Sequence, residues 1–562
     1  MTLAVLAPNL LQPEPGLGLD AKALSQALTF AFATGGSGEA FTRILCQGKL
    51  APSRFHPEAF AKDLFVADFV ARCLVVKHDE RPLTLHRAAL VRELSHPPRD
   101  LEVTRLRQRV LGELAGSAEL EAGAIRVFSR IRELSLLLEA ADRGKRYDAI
   151  GRRLEILRAV KDALELTGSA FVSAQSELSR AHEFARAALS NPAFAELTDL
   201  LDYEGKLATL DLRVEVSYDG QLRSFAIVRT EENRSNPFYV SPLRRFWSRV
   251  QMFFRGYRFR EAEILGQLAN RVFDGIQDAV IGLFQLGLHL EFYLAGLGLR
   301  ARAAGLGLSM CLPELVSDDA AGDTGSQLSE LFNPLLLLEN RAPQPASLSA
   351  PARGFTIITG PNSGGKTRLI QALGLTQLLA QAGLFVPAAK ARLVARDGLF
   401  VSLIQETTAD QPEGHLGMEL LRIRRLFEEL EPNSLVILDE LCSGTNPSEG
   451  EEIFRLVVDL LSELGPQAFI TTHFLRFAGD LERERPLPGL AFLQVELDAQ
   501  NEPTYGFVPG VAKTSLAGKT AERLGVTREA LEALVREKRR DSGREAPLPS
   551  EDVTRAPART TR

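Results

Sequence analysis

The sequence predicts a multidomain α and α/β protein. A long-helical region carries an inserted β-hairpin, and a C-terminal P-loop domain with a largely parallel sheet follows it. Three observations predict this. Apolar residues recur at three- and four-residue steps from about Leu83 to about Leu201, the period of helices packed on one face. The period then drops to two on both sides of Asp219-Gly220. From Phe355 onward short apolar strands, a glycine loop and helical segments alternate, the pattern of a parallel sheet with crossover helices.

Residues 1–82 receive no assignment, and the first 40 of them are punctuated by glycine and proline. Residues 83–316 form the helical region. Pro97-Pro98 interrupts it, and Asp100 is placed to cap the next helix. The helices that follow read as long and more arm-like than globular. Leu212–Thr230 alternates around Asp219-Gly220, a hairpin signal that places β-structure near residues 204–240. Helical character resumes near Pro242 and runs to about Leu299. Its most apolar window, Ala279–Leu299, contains Gln285, His289 and Glu291, so it reads as a buried helix rather than a membrane span. Residues 317–350 are rich in Ser, Asp, Gly, Pro and Ala and read as a linker with a leading strand at Leu335–Leu338. Residues 351–540 form the α/β domain, and residues 541–562 lack a hydrophobic face and read as a disordered tail.

The 562 residues suit three or four domains. With 45% hydrophobic and 25% charged residues, the chain is neither disordered, collagen-like nor a disulfide scaffold. Its net charge of −6 gives no global basic field, so nucleic-acid contact would need a local patch. Four scattered cysteines without metal or redox spacing point to a reducing compartment. The first sixteen residues lack a basic n-region and meet proline early, which makes a poor signal peptide. A cytoplasmic location follows as the expectation.

The chemistry lies in the last third. The strand Phe355–Thr359 leads into Gly360-Pro361-Asn362-Ser363-Gly364-Gly365-Lys366-Thr367, a G-x-x-x-x-G-K-[ST] loop. Glycines let backbone N–H groups curl around phosphates, and the helix that follows, Arg368–Ala382, presents its positive end to them. Lys366 reaches the β- and γ-phosphates of ATP, and the Thr367 hydroxyl suits Mg²⁺. Gly383 stops this helix, which reads as amphipathic. About 70 residues on, the buried strand Leu435–Leu438 ends in Asp439 and Glu440. In P-loop enzymes the first acid holds Mg²⁺, and the second is placed to polarise the attacking water. Ile470-Thr471-Thr472-His473 is a third strand end, where His473 either senses the γ-phosphate or is structural.

Together these elements resemble the MutS family of ATPases. TGPNSGGKT is similar to the family's TGPN-x-GGK-[ST] loop, and DELCSGTNPSEG (Asp439–Gly450) to its DE-x-x-x-GT-x-x-x-x-G segment. Gly383–Ala388 (GLFVPA), Thr471–Phe474 (TTHF) and Pro509–Val526 resemble three further family stretches, all in family order. Leu312–Val316 and Phe332-Asn333-Pro334-Leu335 resemble the run that opens the family's ATPase domain. The resemblance implies an ABC-type ATPase domain, with Asn362, Lys366 and Thr367 on the nucleotide. It implies that Asp439 and Glu440 handle metal and water, and that His473 faces the γ-phosphate. It also implies that the helical region is a core and lever bearing a clamp, that the ATPase domains pair in a homodimer, and that the partner is DNA.

Three departures from the family stand out. Only about 80 residues precede the first lever-type helices, too few for the usual mismatch-reading and connector domains. The one F-x-E match, Phe194-Ala195-Glu196, lies in helical sequence and reads as chance. The family's Ser/Thr-rich loop, which acts on the partner's nucleotide, is replaced by QPEGHLGMEL (Gln411–Leu420). No nuclease-type extension follows the ATPase domain.

Leu243–Arg260 carries Arg244, Arg245, Arg249, Arg255, Arg258 and Arg260 with six aromatics and no acid. Three readings stay open: a DNA surface joining phosphate contact to base stacking, an amphipathic lever helix, or a membrane-surface helix. The function expected is an ATP-hydrolysing dimeric clamp on mismatched or branched DNA, in mismatch repair or recombination. The alternative is a nucleotide-gated structural or membrane-associated assembly protein with the same ATPase fold and no DNA binding.

Overall fold

The computed structural model describes residues 7–34, 38–79, 81–139, 149–206, 209–216, 222–231, 258–322, 325–339, 342–403, 415–442, 446–484, 489–513 and 525–541. The hairpin tip, residues 242–257, residues 411–414 and the tail from 542 lie outside this set. So do Arg244, Arg245, Arg249 and Arg255. Arg258 and Arg260 open a helix, with their side chains outside the described set.

The first 82 residues are built of helices α1 (Ala21–Thr34), α2 (Gly38–Leu45) and α3 (Val66–Cys73), then the paired two-residue strands β1 (Lys77–His78) and β2 (Arg81–Pro82). Helices α4 (Arg87–Ser95), α5 (Leu101–Gly116), α6 (Ala118–Glu139), α7 (Ala149–Ala170), α8 (Ser179–Leu189) and α9 (Pro192–Lys206) follow. Asp100 caps α5 as expected, its carboxylate accepting from Glu102 N at 2.9 Å. The arm-like expectation for these helices is corrected. They wrap helix α10 (Arg258–Ala304), and their inward residues share one core with the P-loop domain. The reason is that the 47 residues of α10, about 70 Å of helix, are apolar around most of their circumference over its C-terminal half. Such a helix must be covered on several sides at once. It is the one described helix long and apolar enough to cross a membrane, and 89% of its most apolar window is buried in the protein. Gln285, His289 and Glu291 within it all find partners. Phe194 is buried in α9, so the F-x-E match is packing.

The period-two segment forms the expected antiparallel hairpin, β3 (Thr209–Val216) with β4 (Leu222–Glu231). Residues 317–350 are not a linker. They contribute β6 (Ser326–Leu331) and β7 (Ala346–Ala350), which join β5 (Glu314–Val316) and β9 (Lys390–Val394) in a four-stranded sheet of order β5-β9-β6-β7. Four of the six residues of β6 are polar, which gave it the composition of a loop. Its Leu328 and Leu331 nonetheless point inward. Leu335–Leu338 is a 3₁₀ helix rather than a strand, because Pro334 starts it in helical geometry and Asn333 Oδ1 accepts from Leu335 N.

The main sheet has the order β10-β11-β12-β8-β13-β14, with only β14 antiparallel. Its strands are β8 (Gly354–Thr359), β10 (Gly398–Ser402), β11 (Ser434–Leu438), β12 (Gln467–Thr471), β13 (Leu490–Leu497) and β14 (Pro503–Pro509). The crossover helices are α11 (Lys366–Ala382), α12 (His415–Glu429), α13 (Pro447–Leu464) and α14 (Leu475–Glu484), and α15 (Arg528–Asp541) ends the described chain. Strand β12 sits between β8 and β11, with Ile470 level with both Ile357 and Leu438. The carboxyl ends of these three strands therefore emerge side by side, where ligands bind in open parallel sheets. The N-terminal region covers the β10 edge. The turn Pro57–Ala59 packs on β10, Asp63 accepts from Leu403 N, and Arg54 pairs with Asp397 at 3.1 Å.

Candidate nucleotide site

The glycine loop runs from β8 into α11. Gly360 has φ +140°, and a Cβ there would lie 2.6 Å from Val495 Cγ2. Only glycine lets the loop pass so close to β13. Helix α11 does not end its burial at one face: every residue from Leu369 to Ala382 is buried, which corrects the amphipathic expectation. It lies between the sheet and helices α4 and α5, so both faces are covered. Gly383 stops it in the left-handed region (φ +86°), as expected.

Lys366 is buried and donates from Nζ to the carbonyls of Gly360 and Pro361 at 3.0 and 3.1 Å. Burial draws its ammonium below the usual lysine value, while the carboxylates of Glu440 and Asp439 oppose that shift. Thr367 Oγ1 donates to Asp439 Oδ2 at 2.7 Å. Thr471 Oγ1, at the end of β12, donates to Asp439 Oδ1 at 2.5 Å and accepts from Glu440 N at 2.8 Å. Asp439 N in turn donates to Ser402 O at 2.9 Å. The ends of β10, β11 and β12 and the start of α11 thus converge on one carboxylate pair.

Beside the loop lies a cleft of about 580 Å³, a size suited to a small-molecule ligand. Its lining includes Asn362, Ser363, Gly364, Gly365, Lys366, Thr367 and Glu440. Phe332, Asn333, Gln344, Tyr505 and Phe507 line it too. Asn333 fixes its segment to α11, donating from Nδ2 to Arg368 O at 3.0 Å and to Gln371 Oε1 at 2.8 Å. Gly360 and Pro361 flank the loop without lining the cleft. His473 also stands apart from it, exposed just beyond β12 with its ring 4.3 Å from that of Phe474. Tyr505 and Gln344 escaped the sequence reading because nothing near them carries a motif. The β13–β14 hairpin and the second sheet bring them back to the loop.

ATP with Mg²⁺ fits these residues. The loop N–H groups and the start of α11 face the cleft, an anion-binding arrangement. Among the described residues no group of three His, Cys, Asp or Glu side chains could cage a metal alone. One carboxylate and one hydroxyl, Asp439 and Thr367, are instead the donors Mg²⁺ takes when phosphates complete its shell. Oxygens at adjacent octahedral positions with bonds of about 2.1 Å lie about 3 Å apart, and the Thr367–Asp439 separation is 2.7 Å.

Residues 356–536 match the family model of MutS domain V. This third of the chain is similar to a MutS-family domain. Among the chain's relatives is the endonuclease MutS2 of Thermomicrobium roseum, 32% identical over 309 residues, which are 52% of this chain and 37% of that one. The endonuclease MutS2 of Thermus thermophilus is 37% identical over 175 residues, 31% of this chain and 23% of the relative. That of Shouchella clausii is 32% identical over 201 residues, 35% and 25%. The matched segment therefore spans well under half the length of these relatives. The MutS domain V match covers the loop, both carboxylates and the β12 end.

Proposed function

We propose that the chain is a MutS-type ATPase that binds and hydrolyses ATP and, as a cytoplasmic homodimer joined through its ATPase domains, clamps mismatched or branched DNA in repair or recombination. One observation carries the enzymatic part. The Asp439-Glu440 turn meets Thr367 and Lys366 at one end of a cleft large enough for a nucleotide. In this reading the loop N–H groups and Lys366 hold the phosphates, and Thr367 and Asp439 hold Mg²⁺, which supplies charge neutralisation at the phosphates. Glu440 orients and deprotonates the attacking water. In this reading His473, which stands outside the cleft here, moves toward the γ-phosphate when nucleotide binds.

The DNA part rests on the family resemblance, on the hairpin β3–β4 carried between helices, and on the arginines at 244, 245, 249, 255, 258 and 260 that follow it in sequence. Those arginines suit phosphate contact.

Glu440→Gln is the direct test. The variant is expected to hold ATP with kcat lowered about a hundredfold or more; wild-type turnover would remove Glu440 from the water. A salt titration on duplex, mismatched and junction DNA tests the clamp. About six phosphate contacts predict roughly a thousandfold loss of affinity between about 50 and 200 mM salt, with a dependence on ATP. Absence of binding at low salt would leave the assembly-protein reading.

A further inference from the structure

The turn after β11 is held in an unusual backbone state. Glu440 has φ 49° and Cys442 φ 62°, two left-handed non-glycine residues only two positions apart. Such residues persist where the surroundings over-determine them, and they cluster at functional sites. The partners that hold this turn come from two sides. On the sheet side, Thr471 Oγ1 accepts from Glu440 N. On the other side, Cys442 N donates to a carboxylate oxygen of Glu419, on helix α12. Leu441 and Cys442 are buried between the two, and Cys442 O approaches Gly450 so closely that a Cβ there would lie 2.8 Å from it. Glu419 and Arg422 share a small cavity with Asp439, Leu441 and Ser402, so α12 packs directly behind the acidic pair.

The two holds differ in kind. Thr471 belongs to a central strand and is fully buried. Glu419 belongs to the segment Gln411–Leu420, where this chain lacks the serines and threonines that the family resemblance leads one to expect. We propose that Glu419 is a positioning residue for Glu440: by accepting the Cys442 N–H it fixes the left-handed turn that directs the Glu440 carboxylate into the nucleotide cleft. Glu419 then acts on the nucleotide site of its own chain, through the backbone of the acidic turn, rather than through hydroxyl groups offered to a second copy. The proposal rests on the reading of Glu440 as the residue that serves the water.

The Cys442 thiol gives a readout independent of catalysis. It is completely buried, and burial first, then the Glu419 charge, pushes its pKa up to about 12. It is therefore inert to alkylation while the turn is closed. The experiment compares full-length wild type, Glu419→Ala, Glu419→Gln and Glu440→Gln. The measurements are kcat and KM for ATP, binding of a non-hydrolysable ATP analogue, and iodoacetamide labelling of Cys442 mapped by peptide mass. Glu419→Ala is expected to raise Cys442 labelling about tenfold and to lower kcat about tenfold, with analogue affinity held within about threefold. Glu419→Gln keeps an acceptor oxygen in place and is expected to restore kcat and protection to near wild type. Wild-type kcat in Glu419→Ala beside a slow Glu440→Gln would overturn the positioning role alone. Loss of analogue affinity in parallel with kcat would also overturn it, since the defect would then be a collapsed site. Wild-type turnover in Glu440→Gln would overturn the underlying reading of Glu440, and the labelling result would still report on the latch.

Discussion

Thr471 shows how much one hydroxyl can organise. It donates to Asp439 and accepts from the Glu440 backbone, so both acids owe their placement to a side chain 31 and 32 positions away. Replacing it with valine, which keeps the shape, leaves the Glu440 N–H and an Asp439 oxygen unpaired at a half-buried site. The expected cost is about 1–3 kcal/mol of stability, measurable by denaturant unfolding, together with a fall in kcat larger than any change in ATP affinity. Sequence patterns made the loop residues and the two acids legible, because phosphate binding and metal binding demand fixed residue types at fixed spacing. They passed over Thr471 as an organiser, and they missed Glu419 and Tyr505 altogether. Those residues act through contacts that span chain distances no local pattern records, and their types are unremarkable in strands and helices.

Helix α11 carries the loop at one end and a different kind of joint at the other. Its last carbonyls are met by α5. Thr104 Oγ1 donates to Gln381 O at 2.9 Å, and the fully buried Arg107 donates to Ala382 O at 3.3 Å, to Leu11 O at 3.1 Å and to Glu93 at 3.1 Å. Gly383 makes this seat possible: a Cβ there would lie 2.5 Å from Arg107 Cβ, at a φ few side chains adopt. Gly383→Ala is expected to destabilise the protein by at least about 2 kcal/mol and to lower its melting temperature by several degrees; an unchanged calorimetric transition would refute this account of the motif. The stretch GLFVPA was legible as a motif but not as a joint. The same holds for β6, whose serines read as linker until its pairing with β7 and β9 is seen. Helix and strand periods were readable wherever one face was apolar. They failed for α11, where burial on all sides erases the period.

For the whole molecule, the sequence conveyed the order of helical region, hairpin and α/β domain, and missed how closely they are joined. Arms were expected; among the described residues one core runs through the helical region and the α/β domain, beside a small second cluster at Ala352 and Val394. The hairpin is the exception: β3 pairs only with β4 among the described strands. Replacing residues 209–231 by a short turn is therefore expected to leave the melting temperature and basal ATP turnover near wild type while weakening DNA affinity. Retained affinity in the salt titration would move the DNA contact elsewhere. The covering of strand β10 by the first residues has a consequence for how the chain is made. Asp63 meets Leu403 across a sequence separation of 340 residues. At synthesis rates of about 5–20 residues per second, the N-terminal helices wait tens of seconds for the strand they shield, and contacts so distant in sequence form slowly even afterwards. Until then their apolar faces, and later the bare edge of β10, are open to other chains. An ATPase fragment beginning near residue 351 would keep that edge permanently uncovered. The segment from Arg54 to Asp63 thus shields an edge of the domain at the far end of the chain.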